Sequence, residues 1–431
     1  MIALVLGSSE SEARRKAQYL KDRQSHRVKK RLEEYSLKTN LGHIHLIAEK
    51  ESILADERRL LWIDHNTPEA ADFPQMIWET NSIKDLSLIL GRVDGFYSGV
   101  KITNNMIIFF RDHVGLIPLN LKIVNRELSA ASERIPLGAD AKPIRPGTIS
   151  IFSEKGLKTM KWYEPIHVSV RDPVNYLAEQ LKNSIKNYVP ERCSIAFSGG
   201  LDSSIIAHLA LQLGKKAEFI VVGVEGCVDF EQAAEAADIL GIELRKISVH
   251  DDEVLKTLQT MIKLLPRRSL MDLSLASIFH MVSRNSTTKK IAAGHGADEL
   301  FGGYWRYVKM FREIGERVNE HMLTDLENLY ITNLERDELA VASAKSTLTT
   351  PYLARRIYEF SKSIELGMKL RQIDGEIVRK WILRKAAEAL GVPERLSRRP
   401  KKAAQYGSGM FKVVKRLFEE GLLAERPTNL R

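Results

Sequence analysis

Seven consecutive residues, Ser198-Gly199-Gly200-Leu201-Asp202-Ser203-Ser204, carry the makings of a phosphate cradle. Two adjacent glycines let a backbone turn tightly and approach an anion with no Cβ in the way. Where a helix follows such a turn, its first N–H groups are unpaired and partly positive, so they attract phosphate. Ser198, Ser203 and Ser204 add hydroxyl donors, and Asp202 offers the hard oxygen that magnesium shares with phosphates. The loop has no Walker-type lysine, so it suits a departing pyrophosphate better than a transferred γ-phosphate. A plain Gly-Gly turn with a Ser/Asp helix cap explains any two of these residues, but not the whole string. Two further segments hold chemistry-bearing side chains between glycines: Gly294 to Tyr304, with His295 and Asp298, and Arg399 to Gly409, with Lys401.

The elements that must position these residues follow from periodicity. Ser194–Phe197 reads as a short buried strand, Asp202–Leu213 as a helix stopped by Gly214, and Phe219–Val224 as the next strand. A helix over Phe230–Leu240 with Gly241 as its stop, a strand over Ile242–Val249, a helix over Leu273–Ser283 and a strand over Lys290–Ala293 continue the alternation, and beyond Phe301 the chain reads as helical. Strands alternating with helices predict βαβ units and a parallel sheet. Upstream, Met1 to Tyr163 reads as short strands between turns. A pair over Val93–Val100 and Met106–Phe110 surrounds Thr103-Asn104-Asn105, and another ends at Trp162. The charged stretch Glu10–Glu34 predicts one exposed helix. The pattern changes at Pro165–Pro173, which divides the chain into domains over 1–165 and 172–431.

Composition bounds the function. With 44% apolar and 28% charged residues the chain is globular rather than disordered, and no apolar run approaches the roughly 20 residues of a membrane span. The apolar start, Met1 to Gly7, reads as a buried strand and not as a signal peptide. Two cysteines, Cys193 and Cys227, build neither a disulfide framework nor a zinc site, so a cytoplasmic location is expected. The net charge of +10 suits polyanions such as ATP. No stretch interleaves aromatics with the basic residues as a single-strand binder does, which argues against a nucleic-acid partner.

The loop at Ser198–Ser204 resembles that of the ATP pyrophosphatase (PP-loop) superfamily, whose members split ATP between the α and β phosphates to adenylate a carbonyl or carboxyl oxygen. The run Gly294-His295-Gly296-Ala297-Asp298-Glu299-Leu300-Phe301-Gly302-Gly303-Tyr304 resembles the asparagine synthetase segment Gly-Glu-Gly-Ala-Asp-Glu-Leu-Phe-Gly-Gly-Tyr. The resemblance implies an adenine nucleotide α-hydrolase-like α/β domain with a helical C-terminal part. It implies that Asp202 and Asp298 bind Mg2+ and that Phe197, Ser198, Gly199, Gly200, Asp202, Ser203, Val222, Gly223, Ala293 and Gly294 meet ATP. Arg399-Pro400-Lys401 through Gly407-Ser408-Gly409 resembles the C-terminal segment of the β-lactam-forming branch, which makes Lys401 a candidate catalytic cation. Where the family usually carries Glu, this chain has His295, a candidate base for the attacking amine whose unperturbed pKa lies near 6.5. A structural or substrate-contacting role competes with that one.

In the N-terminal part, Asp94-Gly95-Phe96, Arg111-Asp112-His113-Val114-Gly115-Leu116-Ile117-Pro118-Leu119 and Ala131-Ser132-Glu133 resemble the class II glutaminase domain of asparagine synthetases, an Ntn-type αββα sandwich. The first 80 or so residues match it poorly. That domain uses an N-terminal Cys as nucleophile. Residue 2 is Ile, neither cysteine falls in this part, and the Asn-Gly-Glu string that helps hold glutamine is missing. The expectation is an inactive glutaminase domain, as in β-lactam synthetases, kept to cover the synthetase or to build a homodimer interface. The whole then reads as an amide-forming ligase that adenylates a carboxylate, aspartate first, and amidates it with free ammonia, ammonia from a partner protein, or an amine already on the substrate. A related ligase for another acid, including lactam closure, and a PP-loop RNA-modifying enzyme or non-catalytic remnant are the alternatives.

Overall fold

The computed structural model describes residues 1–399 and 407–423. The chain forms two compact units, Met1–Glu164 and Pro165–Arg431.

The first unit is a four-layer sandwich. One six-stranded antiparallel sheet runs in the order Lys142–Pro143, Asn120–Val124, Glu127–Ala131, Ile2–Gly7, Gly42–Glu49, Leu32–Thr39. The other runs Gly156–Lys161, Thr148–Ser153, Ile107–Arg111, Phe96–Ile102, Leu60–Asn66, Ile53–Ala55. Alternation along each strand explains the layers. Ile2, Leu4 and Leu6 face inward and pack with Trp62, Val100 and Phe109 of the second sheet. Ala3 and Val5 face outward against Ala13, Ala17 and Leu20 of the helix Glu10–Arg23. On the opposite outer face, Leu61 and Ile63 meet Phe73, Ile77, Leu86 and Leu90 from the helices Phe73–Glu79 and Ile83–Arg92. This is the expected Ntn-type αββα arrangement.

The single helix expected over Glu10–Glu34 is corrected. It ends at Arg23, and Leu32–Thr39 is a strand paired with Gly42–Glu49. Charge density hid two inward ties: the Gln24 amide donates to the carbonyls of Ile2 and Leu20, and the Arg27 guanidinium reaches Glu133 at 2.6 Å.

The second unit hangs on five parallel strands, β1 (Arg192–Ala196), β2 (Lys216–Gly223), β3 (Leu244–Ser248), β4 (Lys290–Ala292) and β5 (Thr347–Thr349), in the order β3-β2-β1-β4-β5. Ile195 of β1 registers with Phe219 of β2 on one side and Ala292 of β4 on the other. The order reverses at β1, so a crevice opens beyond the carboxyl ends of β1 and β4, where ligands of doubly wound sheets bind. Strand β5 falls where helix alone was expected; three residues are too few to show a period of two, and β4 supplies its pairing. The helices that serve the crevice are α1 (Leu201–Gln212), α2 (Val228–Leu240), α3 (Leu270–Asn285), α4 (Ala297–Phe301), α5 (Leu329–Ala342) and α6 (Trp381–Ala389). A hairpin, Leu370–Ile373 with Glu376–Arg379, turns at Asp374-Gly375, both at positive φ as a tight hairpin turn requires, and its second strand leads into α6 through Lys380. Among the described residues no helix is long and apolar enough to cross a membrane.

Candidate active site

The glycine loop joins β1 to α1. Gly199 has φ of +69°, and a Cβ there would press on the Gln232 carbonyl and Ala233 of α2, so only glycine makes this turn. Gly200 caps α1, with Ser204 N–H on its carbonyl at 3.0 Å, and Ser198 Oγ accepts Gly200 N–H at 3.4 Å. Asp202 therefore stands in the first turn of α1, at the mouth of the crevice.

The loop after β4 brings the second carboxylate. Gly294 passes so close that a Cβ would sit 2.9 Å from the Asp202 Cβ. Gly296, at φ of +87°, opens the short helix α4, which carries Asp298 and Glu299. A cation outside every motif stands between the two aspartates. Lys380 Nζ donates to both Asp202 oxygens at 2.7 Å and lies 2.7 Å from Asp298 Oδ1. Its side chain is 2% exposed, and its backbone is left-handed (φ +57°, ψ +36°) at the start of α6. Strained backbone of this kind in non-glycine residues clusters at functional sites. Gly303 leaves room for the pair, since a Cβ there would land on the Asp298 carboxylate and the Lys380 stem.

His295 faces a second ionic group. Its Nε2 lies 2.7 Å from Asp337 Oδ2. The Arg336 guanidinium clasps both Asp337 oxygens at 2.7 Å and extends to Asp272 at 3.3 Å. Burial pushes the Asp337 carboxyl upward, but the Arg336 charge and the bonds from His295 and Arg336 outweigh it and hold the group below its ordinary value. A carboxylate can only accept here, so Nε2 is the donor, and in a neutral imidazole Nδ1 is then the nitrogen with the lone pair. That Nδ1 is buried, with no hydrogen-bond partner among the described residues. Asp272 is fixed by the helix cap of α3, where the Ser269 hydroxyl accepts its N–H at 3.0 Å and donates to its carboxylate at 2.6 Å.

Both groups open on one cavity of about 650 Å³. Of the residues assigned to nucleotide and metal, Phe197, Ser198, Asp202, Ser203, Val222, Ala293, Gly294 and Asp298 line it, as does His295. Gly199, Gly200 and Gly223 stand outside that lining; Gly199 packs on α2, and Gly223 packs on Cys227 and Ser408. Lys401 lies outside the described residues. Lys380, Asp337 and Arg336 were missed. Nothing local marks Lys380 among 65 Lys and Arg residues; only the fold carries it to Asp202.

In the first unit, the residues that carry the glutaminase resemblance brace turns. Asp112 accepts N–H groups from Tyr97, Val114 and Gly115, and the Arg111 guanidinium donates to the carbonyls of Ile144 and Gly115. Both cysteines lie in the second unit and are buried.

A reversing parallel sheet with a glycine loop at its switch point and two carboxylates beyond it is the α/β architecture expected of the PP-loop class. The family model described as "Asparagine synthase" matches residues 177–317 and 311–429. The chain belongs to the asparagine synthase family. It is 32% identical over 386 residues to "Putative asparagine synthetase [glutamine-hydrolyzing] 1" of Methanocaldococcus jannaschii, covering 75% of this chain and 71% of that one. To the asparagine synthetase of Asparagus officinalis it is 24% identical over 320 residues, covering 68% of this chain and 54%, about half, of the plant protein. Likeness to solved structures is weak: NMN synthetase from Francisella tularensis aligns over 61% of this chain and 100% of its own at 13% identity, with a TM-score of 0.29.

Proposed function

We propose that this protein is an ATP-dependent ligase that adenylates a carboxylate, aspartate being the first candidate, and converts it to an amide with ammonia, releasing AMP and pyrophosphate. The observation that carries the reading is the Lys380 ammonium shared by Asp202 and Asp298, two carboxylates that line the same cavity as His295.

Asp202 and Asp298 fit a magnesium ion held partly by nucleotide. Among the described residues no three His, Cys, Asp or Glu side chains gather into a cage, and Mg2+ is commonly bound by one or two carboxylates plus substrate phosphates. When bound there it neutralises phosphate charge. The protein's own residues do the rest. Phe197, Val222 and Ala293 form an apolar wall for the base, and the Ser198 and Ser203 hydroxyls with the start of α1 receive phosphate. A substrate carboxylate oxygen attacks the α-phosphorus, and the α–β bridging oxygen departs with pyrophosphate. Lys380 is a fixed ammonium beside the charge that develops on those oxygens, the kind of preorganised stabilisation that dominates such steps. Ammonia then attacks the acyl carbon, its proton passes to Nδ1 of His295, and AMP leaves. Asp337 keeps Nε2 protonated, so that Nδ1 is the accepting atom. Sequence positions 1–164 contain no cysteine, which supports ammonia rather than glutamine as the nitrogen source.

A second reading, a ligase for a different acid, is favoured by Arg336. Its guanidinium is engaged with Asp337, Asp272 and Asn333, which leaves it poorly placed to clamp the second carboxylate of aspartate.

The test is pyrophosphate release with a panel of carboxylic acids, with ammonium or glutamine as nitrogen source and products read by mass spectrometry. Aspartate with ammonium giving asparagine and AMP supports the first reading, and release driven by another acid supports the second. Glutamine-supported turnover overturns the loss of glutaminase activity. No release with any acid overturns the ligase.

A further inference from the structure

Two arginines tie the catalytic lysine to the phosphate loop. The first is Arg384 on α6. Its backbone N–H bonds the Lys380 carbonyl at 2.9 Å, and its Nε bonds the Arg379 carbonyl at 2.9 Å. One residue thus holds the carbonyls on both sides of the Lys380 Cα, where the backbone is left-handed. The terminal nitrogens of the same guanidinium reach the carbonyls of Ser397 at 2.7 Å and Arg399 at 3.1 Å. The second is Arg399, buried at 8% exposure. Its guanidinium donates to the Gly199 carbonyl at 2.9 Å and the Gln232 carbonyl at 2.8 Å, and pairs with Glu235 at 2.8 Å.

The chain of contacts is continuous: Lys380 and Arg379 carbonyls, Arg384, Arg399, Gly199. An arginine that commits its fork to backbone carbonyls gives up charge pairing for fixed geometry, and lysine, whose three N–H groups radiate from one atom, cannot reproduce the planar fork. We propose that Arg384 and Arg399 are positioning residues: a two-guanidinium strut that sets the Lys380 ammonium at its working distance from the glycine loop. This rests on the ligase reading above. A left-handed lysine left to itself relaxes toward ordinary backbone, which carries its ammonium off the α–β bridge while the loop and the apolar wall still bind nucleotide.

The experiment compares wild type with Arg384→Ala, Arg384→Lys and Arg399→Lys. Kinetics of acid-dependent ATP–pyrophosphate exchange are read beside the rate at which an amine-reactive acylating reagent modifies Lys380, followed by peptide mass spectrometry. The strut predicts a fall in kcat of about 100-fold for both Arg384 variants, the cost of a misplacement near 1 Å, with KM for ATP within about threefold. It predicts partial recovery of Arg384→Ala with added methylguanidinium, and Lys380 labelling at least about tenfold faster in all three variants. Arg399→Lys keeps the charge and serves where Arg384→Ala does not fold. Unchanged labelling with kcat within threefold of wild type overturns the strut, as does a parallel loss of kcat and ATP affinity that follows the fraction of folded protein. A wild type that exchanges pyrophosphate with no acid defeats the ligase reading, and the labelling rates then still decide the strut.

Discussion

Replacing Lys380 by methionine probes the centre of the site most directly. Both side chains are unbranched and bear the same left-handed strain, so the difference between the two proteins isolates the ammonium. Lys380 is 2% exposed, and its partners Asp202 and Asp298 keep only 18% and 16% of their side-chain surface. Solvent screening is therefore weak, and removing one member of such a group leaves buried charge uncompensated, a loss of about 3–5 kcal/mol. Here two carboxylates are left facing each other, with partial access to water, which puts the expectation near the lower end. About 3 kcal/mol corresponds to roughly 6–12 °C in midpoint for a domain near this size. On the proposed reaction, catalysis should lose a fixed cation at the departing pyrophosphate, about 10²–10³ in rate. The divalent-ion affinity moves the other way, because the vacated carboxylates attract a cation more strongly. The assays are thermal denaturation of the free protein, acid-dependent pyrophosphate exchange, and magnesium titration without nucleotide. A K380M protein with wild-type midpoint, exchange within threefold and unchanged magnesium affinity refutes the assignment of Lys380 to the centre.

Four other perturbations separate the remaining roles. His295→Ala should slow amide formation about 10²–10⁴-fold while sparing pyrophosphate exchange; equal loss in both removes His295 from the base role. Asp337→Asn should copy that pattern, since the amide no longer enforces the Nε2–H tautomer, and a selective loss of exchange would contradict it. Gly199→Ala forces a Cβ onto the Gln232 carbonyl at φ of +69°, so nucleotide affinity should fall at least tenfold by calorimetry. The buried His280, whose Nδ1 lies 2.6 Å from the Ser343 hydroxyl, has a pKa pulled down to about 4 from 6.5 by burial and by Arg284. Between those values the unfolded chain binds a proton that the fold refuses, so stability is lost as pH falls from about 6.5 toward 4, at up to about 1.4 kcal/mol per unit. His280→Gln should flatten the midpoint over that window.

What the sequence showed of this site depended on how local each feature is. The loop Ser198–Ser204 and the run Gly294–Tyr304 were legible because a tight turn and a close approach need glycine at fixed offsets from the reactive side chain. Lys380 was not, because it follows Asp202 by 178 positions and sits at a helix start with no special composition. Asp337 and Arg336 were hidden for the same reason, on a helix whose alternation of polar and apolar residues looks ordinary. In the first unit the strands flanking Thr103-Asn104-Asn105 could be read as apolar runs around a polar turn, but the strand at Leu32–Thr39 was lost among charges that spread over its exposed face and over the preceding helix alike.

The departure at position 295 makes physical sense only with those hidden partners. A glutamate there brings its own negative charge; a histidine is neutral until it takes a proton, and then it needs a carboxylate to stabilise it. Asp337 supplies that carboxylate from α5, and Arg336, its neighbour, keeps the fully buried acid ionised by clasping both oxygens. Asp272, fixed by its own helix cap, shares the same guanidinium at 3.3 Å. The exchange of one acid for a histidine therefore carries three further residues with it. Arg336 is engaged by both acids while it lines the cavity, so on the proposed reading one network bears on both the base and the acid accepted. Replacing His295 by glutamate in this background sets two carboxylates against each other at a distance where histidine and aspartate stand 2.7 Å apart. It should lower stability by a few kcal/mol through like-charge repulsion instead of restoring the family's usual chemistry, and the double change His295→Glu with Asp337→Asn should recover most of that loss.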